Sequence, residues 1–149
     1  MSRLAYSWFP VFAWLAFIAY LSSLPHIFIT DLPYLVPAVE KLFGIDLTAV
    51  SHEAARQANF LFRKALHVLV YFVLGFLLFR ATASTRAPRP FILTLLILAL
   101  IAAGDEYNQY FNPERTSKLS DVLLDVTGGL TGAALLATYH KTRRRVSRR

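Results

Sequence analysis

The chain has 149 residues, of which 56% are apolar and only 17% charged. That charged share lies well below the roughly 25% of soluble domains, so one domain's length of chain reads as a membrane protein. No cysteine is present, which excludes a disulfide framework, thiolate chemistry and any Cys-ligated metal. The net charge of +7 calls for an anionic partner, either nucleic acid or the membrane surface.

The first element is "LAYSWFPVFAWLAFIAYLSSL", residues 4–24, which carries no charge. At about 1.5 Å per residue it is long enough for a hydrocarbon core about 30 Å thick. Tyr6, Trp8 and Tyr20 sit near its ends, where interfacial aromatics belong. A cleaved signal peptide would use Arg3 as its basic start. The apolar run is too long and too aromatic for that, and no A-x-A site follows, so a retained span is expected.

The connection from Pro25 to Asn59 carries Pro25, Pro33, Pro37 and Gly44, then the amphipathic "DLTAVSHEAARQANFLF". This stretch reads as a short interfacial helix on the outer surface, or as an extension of the second span. The second span covers about residues 60–79, the third 90–111 and the fourth 120–139. The expected fold is an all-α membrane protein of four transmembrane helices. It forms one transmembrane domain, with residues 140–149 as a basic cytoplasmic tail.

Charge sets the orientation. With four crossings, Arg3, Arg80, Arg86, Arg89 and the tail "KTRRRVSRR" share one side, which holds ten basic residues and no acid. The other side holds Lys41, Arg56, Arg63, Lys64, Arg115 and Lys118 with all nine acids. The positive-inside rule puts both termini in the cytoplasm of a bacterial plasma membrane. The tail reads as a topology anchor that touches anionic lipid. No stacking aromatics are interleaved with its arginines, so nucleic acid is not expected as a partner.

The outer ends of the last three spans are polar. Lys64, His67, Tyr71 and Gly75 fall within an arc of about 80° on a helix. Asp105, Glu106 and Gln109 end the third span on one broad face. Asp121, Asp125, Gly128 and Gly132 lie within an arc of about 60° at the start of the fourth, where small residues favour close helix packing. Arg115 lies in the loop between. Two adjacent carboxylates at a helix C-terminus are unfavourable, and Lys64 and Arg115 are the expected partners.

"KALHVLVYFVLGFLL" and "DEYNQYFNPERTSKLSDVLLDVTGGLTGAAL" together resemble the VanZ-like family over about residues 60–136, and "SSLP" at 22–25 is a weaker match. The family pattern has a Lys and His opening one helix, D-E-x-x-Q closing the next, a loop Arg, then an Asp and a small-residue stripe. It falls here on Lys64, His67, Asp105, Glu106, Gln109, Arg115, Asp121, Gly128 and Gly132. Arg63, Glu114 and Asp125 depart from it, standing where many members have an acid, a Gly and an Asn. The resemblance implies a small bacterial integral membrane protein. The family takes its name from a member linked to teicoplanin resistance.

Bland and sharp readings stand side by side for these residues. His67 is a hydrogen-bonded helix contact or a participant in chemistry. Asp105 and Glu106 form a structural ion-pair network or a working site. Tyr71 is a bonded core residue or a proton donor. The stripe of Gly75, Gly128 and Gly132 packs helices within one chain or between copies; the oligomeric state is left open.

Three functions are compatible with this pattern. The first is a non-enzymatic envelope factor whose cluster of Lys64, His67, Tyr71, Asp105, Glu106, Gln109, Arg115, Asp121 and Asp125 binds a cell-wall precursor or lipid head group. The second is an intramembrane enzyme. It would use a metal held by His67, Asp105 and Glu106, with Asp121 and Asp125 as further oxygen donors, or an acid–base pair of Glu106 and His67. No G-x-S-x-G or HExxH motif supports it. The third, a proton or ion path, lacks ionisable groups in the inner halves of the spans. The expectation is the first, without a cofactor.

Overall fold

The computed structural model describes residues 3–23, 52–110 and 118–146, together with the single positions Pro37 and Lys41. Among the described residues there are four long helices and no strand. They are α1 (Arg3–Ser23), α2 (His52–Ser84), α3 (Pro90–Tyr110) and α4 (Leu119–Val146). Each is long and apolar enough to cross a membrane.

The chain divides into two compact units. One comprises Met1–Ser23 with His67–Arg149, and the other Leu24–Leu66. In the smaller unit the described chain is mainly the first part of α2. There Arg56 and Glu53 pair at 2.5 Å on the surface, and the Lys64 ammonium lies 5.3 Å from the Phe60 ring centroid. Residues 52–59 are continuous with α2, so of the two readings of this stretch the extension is the one described. The remainder of the expected surface helix lies outside the described residues.

In the larger unit α1 contributes Val11 and Ile18 to the core, α2 contributes Tyr71, Leu74, Leu78 and Ala81, and α3 contributes Leu98 and Ala102. Large apolar side chains such as Phe9, Phe12, Leu96, Leu100 and Leu135 face outward. In water that surface would be a liability, whereas in lipid it is the solvated face. Because lipid is as apolar as leucine, helices in it associate through close packing and hydrogen bonds.

The close packing is between α2 and α4. A Cβ added at Gly75 would land on the Gly129 carbonyl, one at Gly132 on the Phe72 carbonyl, and one at Gly128 would lie 2.7 Å from the Val68 carbonyl oxygen. Backbone therefore rests on backbone along this seam.

The hydrogen bonds sit where the sequence strands a polar group. Pro10 inside α1 has no N–H, which leaves the Tyr6 carbonyl without its helical donor. Arg80 of α2 donates to that carbonyl at 3.3 Å, and its guanidinium lies 5.7 Å from the Tyr6 ring centroid. Thr82 and Thr94, both fully buried, bond each other at 2.9 Å, and their hydroxyl oxygens lie 3.3 and 2.8 Å from the Pro90 carbonyl oxygen, so the two hydroxyl protons are shared among these three contacts. Trp14 Nε1 donates to the Val70 carbonyl at 2.9 Å and ties α1 to α2. Trp14→Phe removes that donor but keeps most of the ring, so it should cost about 1 kcal/mol. Thermal unfolding in detergent would show this as a modest drop in melting temperature; an unchanged melt would mean the bond contributes nothing.

Candidate functional site

Polar residues converge where α1 and α3 end and α4 begins, beside the His67–Tyr71 turn of α2. Asp105 sits at their centre. It accepts hydrogen bonds from Ser22 of α1, from Tyr71 Oη at 3.4 Å and from Gln109 Nε2 at 3.2 Å. The Gln109 bond follows from sequence, because positions four apart share a helix face. The other two bring α1 and α2 onto the same carboxylate. All three of these donors are neutral, so among the described residues the carboxylate is met by dipoles and not by a cation.

Asp125 is the most buried acid among the described residues, at 2% exposure. Its carboxylate oxygens lie 3.1 and 3.3 Å from His67 Nδ1. An ionised carboxylate only accepts, so Nδ1 carries the proton in that state. His67 Nε2 makes no hydrogen bond among the described residues. Asp125 thus fixes the ring's orientation and tautomer while the ring's other nitrogen stays available.

Glu106, 6% exposed, turns to a different task. It accepts the backbone N–H of Lys118, the residue just before α4. Helix N-termini have orphan N–H groups and a partial positive charge, and a carboxylate satisfies both. The unfavourable position of Glu106 at the end of α3 is therefore offset by the start of α4. Ser120 Oγ, in the first turn of α4, donates to Asp121 Oδ1 at 3.3 Å. Asp121 itself is half-buried, and its N–H bonds the Lys118 carbonyl at 2.8 Å.

The expected residues are thus not all in one constellation. His67, Tyr71, Asp105, Gln109 and Asp125 form the inner group, and Glu106 works as a helix cap. Lys64 belongs to the smaller unit, and Arg115 lies outside the described residues. Among the described residues no three of His, Cys, Asp and Glu stand where they could hold one metal ion. Ser22 was not legible as a site residue; its only signal was the "SSLP" likeness. Gly129 was missed as well, although it packs against Leu98.

These helices and carboxylates define a class: a helical membrane protein with a buried Asp–His pair and a dipole-solvated Asp at one end of its bundle. The chain belongs to the VanZ/LLP1 family, whose model matches residues 7–140. That span includes every group of the site, from Ser22 to Asp125. No curated protein and no solved structure matches the chain.

Proposed function

We propose that this protein acts at the bacterial cell envelope, spanning the plasma membrane with both termini in the cytoplasm. Its site then lies in the outer half of the membrane and binds a lipid-linked or cell-wall-precursor group. Occupancy of the site affects susceptibility to glycopeptides of the teicoplanin type. The charge asymmetry along the chain supports the orientation. Ionisable groups kept inside a membrane span are expensive, and they are retained where they do work.

One observation carries the reading. Asp105 is held by side chains of three helices and Asp125 by His67, yet the His67 side chain is 22% exposed and its Nε2 makes no hydrogen bond among the described residues. A head group rich in hydroxyls or amides can accept from or donate to that nitrogen and reach the Asp105 shell. The same open nitrogen favours a second reading, an acid–base step on a lipid head group with His67 as the proton carrier.

The test is expression of the native chain, Asp105→Asn and His67→Ala in a susceptible host, with membrane levels checked by immunoblot. Asp105→Asn should abolish the susceptibility shift at unchanged abundance, and His67→Ala should abolish it with a fall in abundance, because it leaves the buried Asp125 without its partner. Glu106→Ala should instead lower abundance, because it strips the cap from α4. Loss of abundance in all three would make the cluster scaffold alone, and a native chain without any effect on susceptibility would overturn the glycopeptide reading.

A further inference from the structure

A second site lies at the opposite end of these helices. A pocket of about 660 Å³ opens between the end of α2, the turn into α3 and the last turns of α4. Phe79, Ala83, Ala87, Pro90 and Ala137 make one wall apolar. Arg86, Lys141 and Arg145 make the other basic, and the His140 ring lies 6.2 Å from that of Phe79.

The charges on this pocket have no counter-ion in the segments that build it. Neither the stretch from Ala54 to Gly104 nor that from Val126 to Arg149 contains an Asp or Glu. Cations gathered around one concavity repel each other and raise a positive potential there. An anion from outside relieves it. Arg86 adds a second, independent sign. Its φ is 56°, the left-handed conformation that follows a helix end and normally selects glycine. The chain spends backbone strain to keep a cation at this position, and such strain concentrates where a ligand is held. The buried Thr82–Thr94 pair and its bonds to Pro90 fix the turn beneath it.

We propose that this pocket binds the phosphate of an anionic phospholipid, with an acyl chain along the apolar wall. A free phosphate would need neither an apolar wall nor a volume of about 660 Å³, which suits a much larger ligand. A lipid uses both halves, and the site lies at the ends of membrane-spanning helices. In the orientation proposed above, it faces the leaflet where anionic lipid and basic residues meet.

The experiment uses the full-length protein in neutral detergent, titrated with phosphatidylglycerol, phosphatidylcholine or inorganic phosphate while thermal unfolding is followed. Phosphatidylglycerol should raise the melting temperature at about tenfold lower concentration than phosphatidylcholine, and phosphate should have no effect. Arg86→Gly should melt at or above the native temperature without lipid, because glycine suits the left-handed position. It should need about tenfold more phosphatidylglycerol for the same effect. Lys141→Gln and Arg145→Gln should weaken the response in the same direction, which keeps the test intact if Arg86→Gly folds poorly. Arg143→Gln, an exposed charge on the same helix outside the pocket, should leave the response unchanged. Equal effects of the two lipids would overturn the proposal. So would a phosphate effect equal to that of phosphatidylglycerol, which would mark a free-anion site, or a loss in Arg143→Gln equal to that in Arg86→Gly, which would mark diffuse charge on the helix.

Discussion

Gly75→Leu should fail to accumulate as a folded protein, and Gly75→Ala should lose about 3 kcal/mol or more of stability, at the upper end of what overpacking costs. The new Cβ would land on the Gly129 carbonyl, which is main chain and not the movable end of a side chain. Relief requires α2 and α4 to separate. Separation also breaks the packing of Gly132 on Phe72 and of Gly128 on Val68, because all three contacts lie on one seam. In lipid no hydrophobic gain offsets that loss. Gly104→Ala is the comparison. It sits in α3 with nothing within 4 Å of the added carbon, so it should gain about 1 kcal/mol from helix propensity. Melting of the two alanine variants in detergent gives the contrast: opposite shifts are expected, and a Gly75→Ala protein that melts with the native chain would mean that the α2–α4 seam is not closed.

The four helices were legible because membrane spans announce themselves through composition alone: a run of apolar residues of the right length, with charges at its ends. The stripes on those helices were legible too, since helical periodicity places Tyr71 below His67 and Gln109 below Asp105. What periodicity leaves open is which stripe faces which neighbour. The Asp105 shell depends on Ser22 from a helix more than eighty residues away in sequence, and nothing local marks that serine as a donor. The same holds for Arg80, whose bond to Tyr6 makes sense only once Pro10 has emptied that carbonyl and α1 has packed on α2. For Glu106 the sequence pointed to Lys64 and Arg115 as partners; the backbone N–H of Lys118 at the start of the next helix is one that no side-chain pattern marks. Periodicity also does not say where the last helix stops within the basic run: α4 continues to Val146, and cations in a last helical turn are favoured by the dipole. That continuation puts Lys141 and Arg145 at fixed positions beside Arg86, which a loose tail would not.

His67→Leu should destabilise the protein by about 3–5 kcal/mol, the cost of leaving a buried charge without its partner. Asp125→Leu should cost less, and the difference follows from burial. Asp125 is 2% exposed, so once stranded it has no water to turn to, whereas the His67 side chain is 22% exposed and a stranded imidazole can be rehydrated. The double variant His67→Leu/Asp125→Leu should be more stable than His67→Leu alone, because two apolar groups that fill the same space need no partner. Asp125→Asn keeps an acceptor for Nδ1 and removes the charge, so its cost should stay near about 1 kcal/mol. Unfolding of the four proteins in detergent measures the pair's coupling directly. Additive losses in the double variant would mean that His67 and Asp125 do not interact, and equal losses in the two single variants would contradict the difference in burial. The same four proteins separate scaffold from site. A packing role needs only a filled, partnered cavity, so the leucine pair and Asp125→Asn would then retain the susceptibility effect of the native chain. A binding or proton-carrying role needs the oriented ring and its open Nε2. In that case the leucine pair loses the effect however stable it is, while Asp125→Asn, which still orients the ring, retains part of it.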